Sequence, residues 1–426
     1  MDFALGETQL VVARVAADVL DRSQPPAPPA PHAPAPHAPA PQTRQESSAE
    51  REVVQDPAQW QTPWKELGQA GLLALALPDW LGGDGLGVMD AAVLLTEIGK
   101  RAARLPALAT LIMGVLPVVR WGDRDLQQAL LAGVAAGDTV LTAAVREPSD
   151  PLPPVPATTA RLGDGTVPLA GGLGGSSPQA GTVTGVKIGV PYCAAADWIL
   201  VPASIAVPGS PFSAGTGVVI VDPSADGVSL TRTHSSSGEP EYTLRLDEAP
   251  VRHVLGGGSD GRVVSDLYQL AVAGACCLAD GALSAALALT TAHVRSREQF
   301  GRPLAAFQAV AQQIADVYIA SRTLHLATLS ACWRLETGRE ADSDLDVAAY
   351  WLARHAPAAL RACHHLHGGI GMDISYPLHR YSSLVRDLVR FVGGTDYRLD
   401  RLAARPSESA GPSENSRLSA SVMEGG

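Results

Sequence analysis

Cysteine is scarce in this chain: 426 residues carry five, at positions 193, 276, 277, 332 and 363. The number is odd and no CxxC spacing occurs, so neither a disulfide framework nor a cysteine-based zinc site is suggested. Such usage points to a reducing compartment, so a cytoplasmic protein is expected. Aromatic residues make up 5% and charged residues 18%, so alanine, leucine and valine must carry the core within a hydrophobic fraction of 46%. Basic residues number 32 against 43 acidic ones, a formal net charge of -11. That balance excludes sequence-independent nucleic-acid binding, which needs a cationic surface to displace phosphate counterions. The opening "MDFALGETQL" places acids where a signal peptide requires a basic region. Long apolar runs are few. "LPALATLIMGVLPVV" is shorter than the roughly 20 residues of a membrane span and contains Pro106 and Pro117. "LAVAGACCLADGALSAALAL" is interrupted by Asp280 and rich in alanine. Both are expected to be buried helices, with no membrane partner.

What is present divides the chain. Residues 1–22 place Phe3, Leu10, Val11, Val15 and Leu20 at helical spacing. "PPAPPAPHAPAPHAPAP", Pro25–Pro41, then stops any helix; such a run favours an extended polyproline II linker, about 3.1 Å per residue. His32 and His37 within it do not make a convincing metal site. The domains expected are a helical one over 1–138, containing the Pro/Ala-rich linker 23–50, and a middle β domain over 139–256. A helical bundle over 257–404 and a polar, disordered tail over 405–426 complete the chain. The β domain is marked by "WILVPA", "GVVIVD", "VSLTRT" and "EYTLRLD" between glycine- and proline-rich turns. The bundle is marked by four long segments, about 263–296, 307–337, 344–366 and 377–403, each with an apolar stripe. The fold class is therefore mainly α with a middle β domain.

Two strings carry the functional signal. In "VRSREQFGRPLAAFQAV", Val294–Val310, Arg297 supplies a permanent cation with paired donors suited to a pyrophosphate. Phe300 offers a flat apolar face, Gly301 lets the chain turn, and Gln299 and Gln308 can add amide hydrogen bonds. In "HLHGGIGMDISYPLHRY", His365–Tyr381, paired glycines Gly368 and Gly369 let backbone amides approach a ligand closely. The "CHHLH" string is not read as a metal cluster, because His364 and His365 point about 100° apart on a helix. Taken together, in order and spacing, these strings resemble the two most recognisable motifs of the acyl-CoA dehydrogenase family. "LPDWLGGDGLGVMDAAVLLTEIGK" is similar to that family's N-terminal helices. The resemblance implies an N-terminal helical domain, a β-barrel-like middle domain and a C-terminal four-helix bundle. It also implies FAD as cofactor, an acyl-CoA thioester as substrate, and α,β-dehydrogenation by proton removal and hydride transfer to the flavin. Cofactor contacts are expected at Arg297, Gln299, Phe300, Gln308, His365, Gly368, Gly369 and Thr395.

The catalytic base is missing where the resemblance places it. Family members most often carry a glutamate before a late Gly-Thr pair; here Gly394 and Thr395 are preceded by Gly393. A minority place it on the first bundle helix, at a position that corresponds to Ala271, with Tyr268 one turn earlier and Asp266 off that face. Arg146 in "VREPSDPLPP" stands where a threonine contacts the flavin. Gly189 and Pro191 in "VKIGVP" stand for a tryptophan and a threonine that pack on it. In the family, RxxFG and HGGIG grip the neighbouring subunit's FAD, whereas the missing groups serve the subunit's own. Three readings stay open. The chain is the base-lacking subunit of a hetero-oligomer with a paralogue, of the kind acting on steroid-derived thioesters in lipid metabolism. Alternatively it is a self-sufficient dehydrogenase using a displaced base such as Asp396 or Tyr268, or a non-enzymatic scaffold.

Overall fold

The structure, a computed structural model, describes residues 5–23, 59–162, 181–206, 213–256 and 260–404. The proline-rich linker and the polar tail lie outside them. Helices come first: α1 (Glu7–Ser23), α2 (Gln61–Gln69) and α3 (Val88–Lys100). In α1 the buried stripe is Val12, Ala16, Val19 and Leu20, while Leu10 and Val11 face outward. The expected stripe was thus rotated, because a three-residue apolar cluster at 10–12 fits a helix in more than one phase. The turn between α2 and α3 needs its glycines, since a Cβ on Gly83 would stand 2.1 Å from the Leu77 carbonyl oxygen. "LPALATLIMGVLPVV" is helical and sealed, as widened turns over Leu108–Val115 followed by α4 (Leu116–Trp121), with α5 (Arg124–Leu131) beyond.

The middle of the chain forms one eight-stranded sheet: β1 (Leu141–Ala143), β2 (Thr159–Leu162), β3 (Gly181–Pro191), β4 (Trp198–Ala206), β5 (Ser213–Val221), β6 (Val228–Thr233), β7 (Glu241–Pro250) and β8 (His253–Leu255). Their order is β6-β7-β3-β2-β4-β5-β8, with β1 alongside β4. All four apolar runs read from the sequence are strands. Alternation sorts their side chains. Ile199, Val201, Ala203 and Ile205 join Val219 and Val221 in a core enclosed by the sheet itself, whereas Leu200, Val218 and Ile220 face the helices. The sheet therefore has its own interior, as a barrel-like domain requires, and a second face seated on the bundle.

The bundle starts with α6 (Arg262–Ser296) and α7 (Gln308–Glu336), joined by a hairpin of β9 (Glu298–Gln299) and β10 (Arg302–Pro303). α6 is long and apolar enough to cross a membrane, yet 83% of its most apolar window is buried inside the fold. The two later segments are each broken. The third is α8 (Asp342–Arg354) and α9 (Ala356–His367), separated at His355, where Pro357 has no N–H to continue the ladder. The fourth is α10 (Leu378–Phe391) and α11 (Gly394–Ala403), separated at Gly393, whose φ is +93°.

Candidate cofactor site

At the C-terminal end of α6 the chain must reverse into α7. Arg297 ends the helix, and Phe300 and Gly301 make the turn with φ of +53° and +77°. A phenylalanine in the left-handed region costs about 1–2 kcal/mol, and this one is 90% exposed. Its one ring contact is edge-on with Phe307, at 6.1 Å between centroids. Gln299 and Gln308 are exposed on either side of the turn. Arg297 makes no ion pair among the described residues.

The second motif is braced from within. His364 bonds the Gly371 carbonyl at 2.9 Å through Nδ1 and Ser382 Oγ at 2.7 Å through Nε2. His367 Nδ1–H donates to the Cys363 carbonyl at 2.8 Å, leaving Nε2 to accept from the Tyr376 hydroxyl at 3.1 Å. Burial pushes His367 down to about 4, so its ring is neutral at ordinary pH. These rings hold the turn that presents Gly368 and Gly369; a Cβ at either glycine would meet nothing within 4 Å. His365 is exposed beside them. The His293 and His367 rings stack at 4.5 Å, and His293 lies one helical turn before Arg297. The two motifs are thereby brought side by side, with Phe300, Met372 and Ile374 standing outward, the last two 79% and 80% exposed. Sequence reasoning did not assign this bracing role to His364 and His367, although the HxxH spacing, one helical turn, was its signal.

Thr395 stands on a different element. It lies on the first turn of α11, which packs on α8 and is held there by Asp346 accepting from Arg398 and Arg401 at 3.0 Å each. Arg398 also donates to the Val392 carbonyl at 2.7 Å, closing the helix break. At that break a Cβ on Gly393 would stand 2.5 Å from Tyr397 Cδ1 and 2.8 Å from Pro151 Cγ. The position where a carboxylate was sought is therefore occupied by the chain's own ring and by the loop after β1.

The other substituted positions are filled in the same manner. Lys187 and Glu147 form a buried ion pair at 2.7 Å. Glu147 also accepts from the amides of Ala157 and Thr158 and from the Thr158 hydroxyl, which ties the loop after β1 to the start of β2. Burial lowers Lys187 to about 8 despite that partner. Beside this pair β3 bulges, and Gly189 adopts a φ of +63°. The Arg146 guanidinium lies over Gly189, its Nη1 2.6 Å from where a Cβ would stand. Arg146 Nε is buried without a hydrogen-bond partner, and burial, then Arg390, lowers its pKa. Arg390 itself pairs with Glu241 through two bonds of 2.8 and 2.5 Å. Ala271 is fully buried, Asp266 is held by Arg120 and Trp121, and Asp396 is exposed. Tyr268 reaches a cleft of about 390 Å³ also lined by Leu152 and Arg398, with burial pushing its hydroxyl well above the usual range.

Comparison with known proteins decides the family. Residues 40–138 match the N-terminal domain of acyl-CoA dehydrogenases and residues 267–405 the C-terminal domain. The chain is 42% identical to the acyl-CoA dehydrogenase FadE28 of Mycobacterium tuberculosis, over 85% of this chain and 97% of that protein. This chain belongs to the acyl-CoA dehydrogenase family. FadE27 of the same organism is 31% identical over 81% of this chain and 88% of its own length. Among solved structures, a variant of the Tcur3481-Tcur3483 steroid acyl-CoA dehydrogenase superposes with a TM-score of 0.77 at 29% identity, covering 94% of this chain and 98% of that one. The ChsE4-ChsE5 complex from M. tuberculosis gives 0.77 at 28%, covering 96% and 100%.

Acyl-CoA dehydrogenases are FAD-dependent oxidoreductases, and the two halves of the site differ in fit. An unpaired guanidinium at Arg297 and bare backbone at Gly368 and Gly369 suit a dinucleotide's pyrophosphate and the close approach it needs. Around Gly189 and Gly393, side chains of the same chain take up the room beside the backbone.

Proposed function

We propose that this chain is the base-lacking subunit of a heteromeric acyl-CoA dehydrogenase and lends its Arg297 hairpin and Gly368–Gly369 turn to the FAD of an unlike, base-carrying paralogue. One contrast carries the reading. Three of the four glycines of the outward motifs are open, at 301, 368 and 369, with Gly371 packed on His364 and His367, whereas Gly189 and Gly393 are covered by Arg146, Tyr397 and Pro151 and only Gly394 beside them is open. The two-component names of the structural neighbours support it, and one of them is described as acting on steroids; a bulky acyl-CoA is the substrate class assigned to the complex. The exposed position of Asp396 counts against a displaced base, since a carboxylate that removes an α-proton needs a dry environment to raise its pKa.

When bound, FAD supplies the acceptor for the substrate's β-hydride. Arg297 offers paired donors to the pyrophosphate, the His364- and His367-braced turn presents amides, and Phe300 covers an apolar surface across the interface. The proton is taken by the partner. The test is co-expression with a paralogue containing a glutamate-Gly-Thr segment, followed by flavin absorbance and acyl-CoA-dependent bleaching. The pair should hold flavin and turn over, and Arg297→Ala in this chain should lower the flavin content of the intact pair. Full flavin retention by that variant, or bleaching by this chain alone, would overturn the reading.

A further inference from the structure

A second concavity lies between the helical entry, the turn that joins β6 to β7 and the far end of the second motif, from which Ile374, His379 and Arg380 line it. It is the larger of the two clefts described, about 570 Å³. Its floor is apolar: Trp60 and Tyr192 meet edge-on at 5.6 Å, and Leu20, Pro63 and Leu105 complete it. Its rim is cationic, with Arg104, Arg232 and Arg380 joined by His379. Among the described residues no aspartate or glutamate lines it, in a chain whose net charge is -11. The acids nearby have partners of their own, and Glu239 acts on Tyr192 and Arg104 of the cleft itself. Asp387 accepts the amides of Ser236 and Ser237 at 2.8 and 2.7 Å, so the hairpin turn shows the cleft its serines and keeps the carboxylate behind them. Glu239 accepts from the Tyr192 hydroxyl at 3.3 Å, and burial, then Asp387, pushes it up to about 7, which blunts its charge near neutrality.

An apolar floor beneath convergent cations is the composition of a small-molecule site that fixes one end of a ligand by charge and the other by burial. We infer that this cleft binds an amphipathic organic anion, a carboxylate or phosphate monoester carried on an apolar body, with its head on Arg232 and Arg380 and its body on Trp60 and Tyr192. The cleft shares the end of the second motif through His379 and Arg380, but the inference does not use that motif's flavin-gripping role and concerns the isolated chain as much as the complex. Arginine suits the role because its planar fork engages either head group through paired hydrogen bonds.

The test is titration of the purified full chain with dodecanoate, dodecyl phosphate and dodecanol below their aggregation limits, by calorimetry and tryptophan fluorescence. Saturable binding of one anion per chain is expected, with emission changes that Trp60→Phe reduces. Arg232→Ala combined with Arg380→Ala should weaken binding about tenfold or more. Both residues have exposed surface, so the variant should keep the parent's circular dichroism and thermal midpoint. The relative affinities of the first two probes identify the preferred head group. Equal binding of dodecanol, uptake that never saturates, or an undiminished affinity in the double variant would each overturn the inference.

Discussion

Restoring a carboxylate by Gly393→Glu should harm the protein and leave it inactive on its own. Two costs add at this position. The backbone is left-handed, φ +93°, which costs a non-glycine residue about 1–2 kcal/mol. The new Cβ would also lie within 2.8 Å of two groups, the Tyr397 ring and the Pro151 ring, and overpacking of this kind costs about 1–3 kcal/mol. Together they predict a loss of about 2–5 kcal/mol, a large part of the stability of a typical domain. The neighbouring glycine is an internal control. Gly394 has φ +83° but open space around a Cβ, so Gly394→Ala should lose only the backbone part, about 1–2 kcal/mol. Chemical denaturation of Gly393→Ala, Gly394→Ala and Gly393→Glu, with equal slopes, separates the two costs. Gly393→Ala should be the less stable alanine variant, and Gly393→Glu should not bleach flavin with acyl-CoA. Equal midpoints for the two alanine variants would refute the claim that Tyr397 and Pro151 occupy the site.

Three further outcomes follow from the same geometry. Gly189→Ala should destabilise the chain, and Arg146→Ala should recover part of that loss because it removes the atom 2.6 Å from the added Cβ; a double-mutant cycle on urea midpoints reads the coupling. Lys187→Met should cost about 3–5 kcal/mol by stranding Glu147 in the interior, while Lys187→Met with Glu147→Leu should cost less. His367 is held at about 4 against an ordinary 6.5, so the unfolded chain binds the extra proton between those values. Its contribution is full above 6.5 and lost as pH falls toward 4, by up to about 3 kcal/mol. In His367→Gln, stability measured across that window should be flatter by that amount.

The fold was legible where the pattern was strong and local. Four apolar runs named four strands, and the RxxFG and HGGIG strings led to the family before any geometry. The central strand β3 was quoted for its motif but not read as a strand. Its sequence, "GTVTGVKIGVP", scatters threonine and glycine among single apolar residues without an apolar run, and one of its buried residues is Lys187, a charge that becomes acceptable inside only through Glu147, 40 positions away. Bundle segments three and four were read as continuous because apolar periodicity passes through Pro357 and Gly393 with little interruption. Thr395 was expected as a cofactor contact from the resemblance alone; it lies on α11, which Asp346 anchors to α8. The filling of Gly393 by Pro151 joins positions more than 200 residues apart, and no local pattern contains it.

That filling bears on the proposal that this chain has no base of its own. If the carboxylate had simply been deleted from a working site, the space it left should be slack, since cores relax only partly around a removed side chain. Here the space is used: Tyr397 and Pro151 close over one glycine and Arg146 over the other. Each glycine is required by the bulk of its neighbour, so a larger residue at either position needs a compensating change. The outward motifs show the opposite economy. Phe300 keeps a left-handed backbone and an exposed ring whose described partner is Phe307 alone, and Gly368 and Gly369 keep bare backbone facing open space, features that cost stability and return little among the described residues. A scaffold relieved of all chemistry has no physical reason to retain them. A subunit that completes a partner's cofactor site does, because the return is collected across the interface.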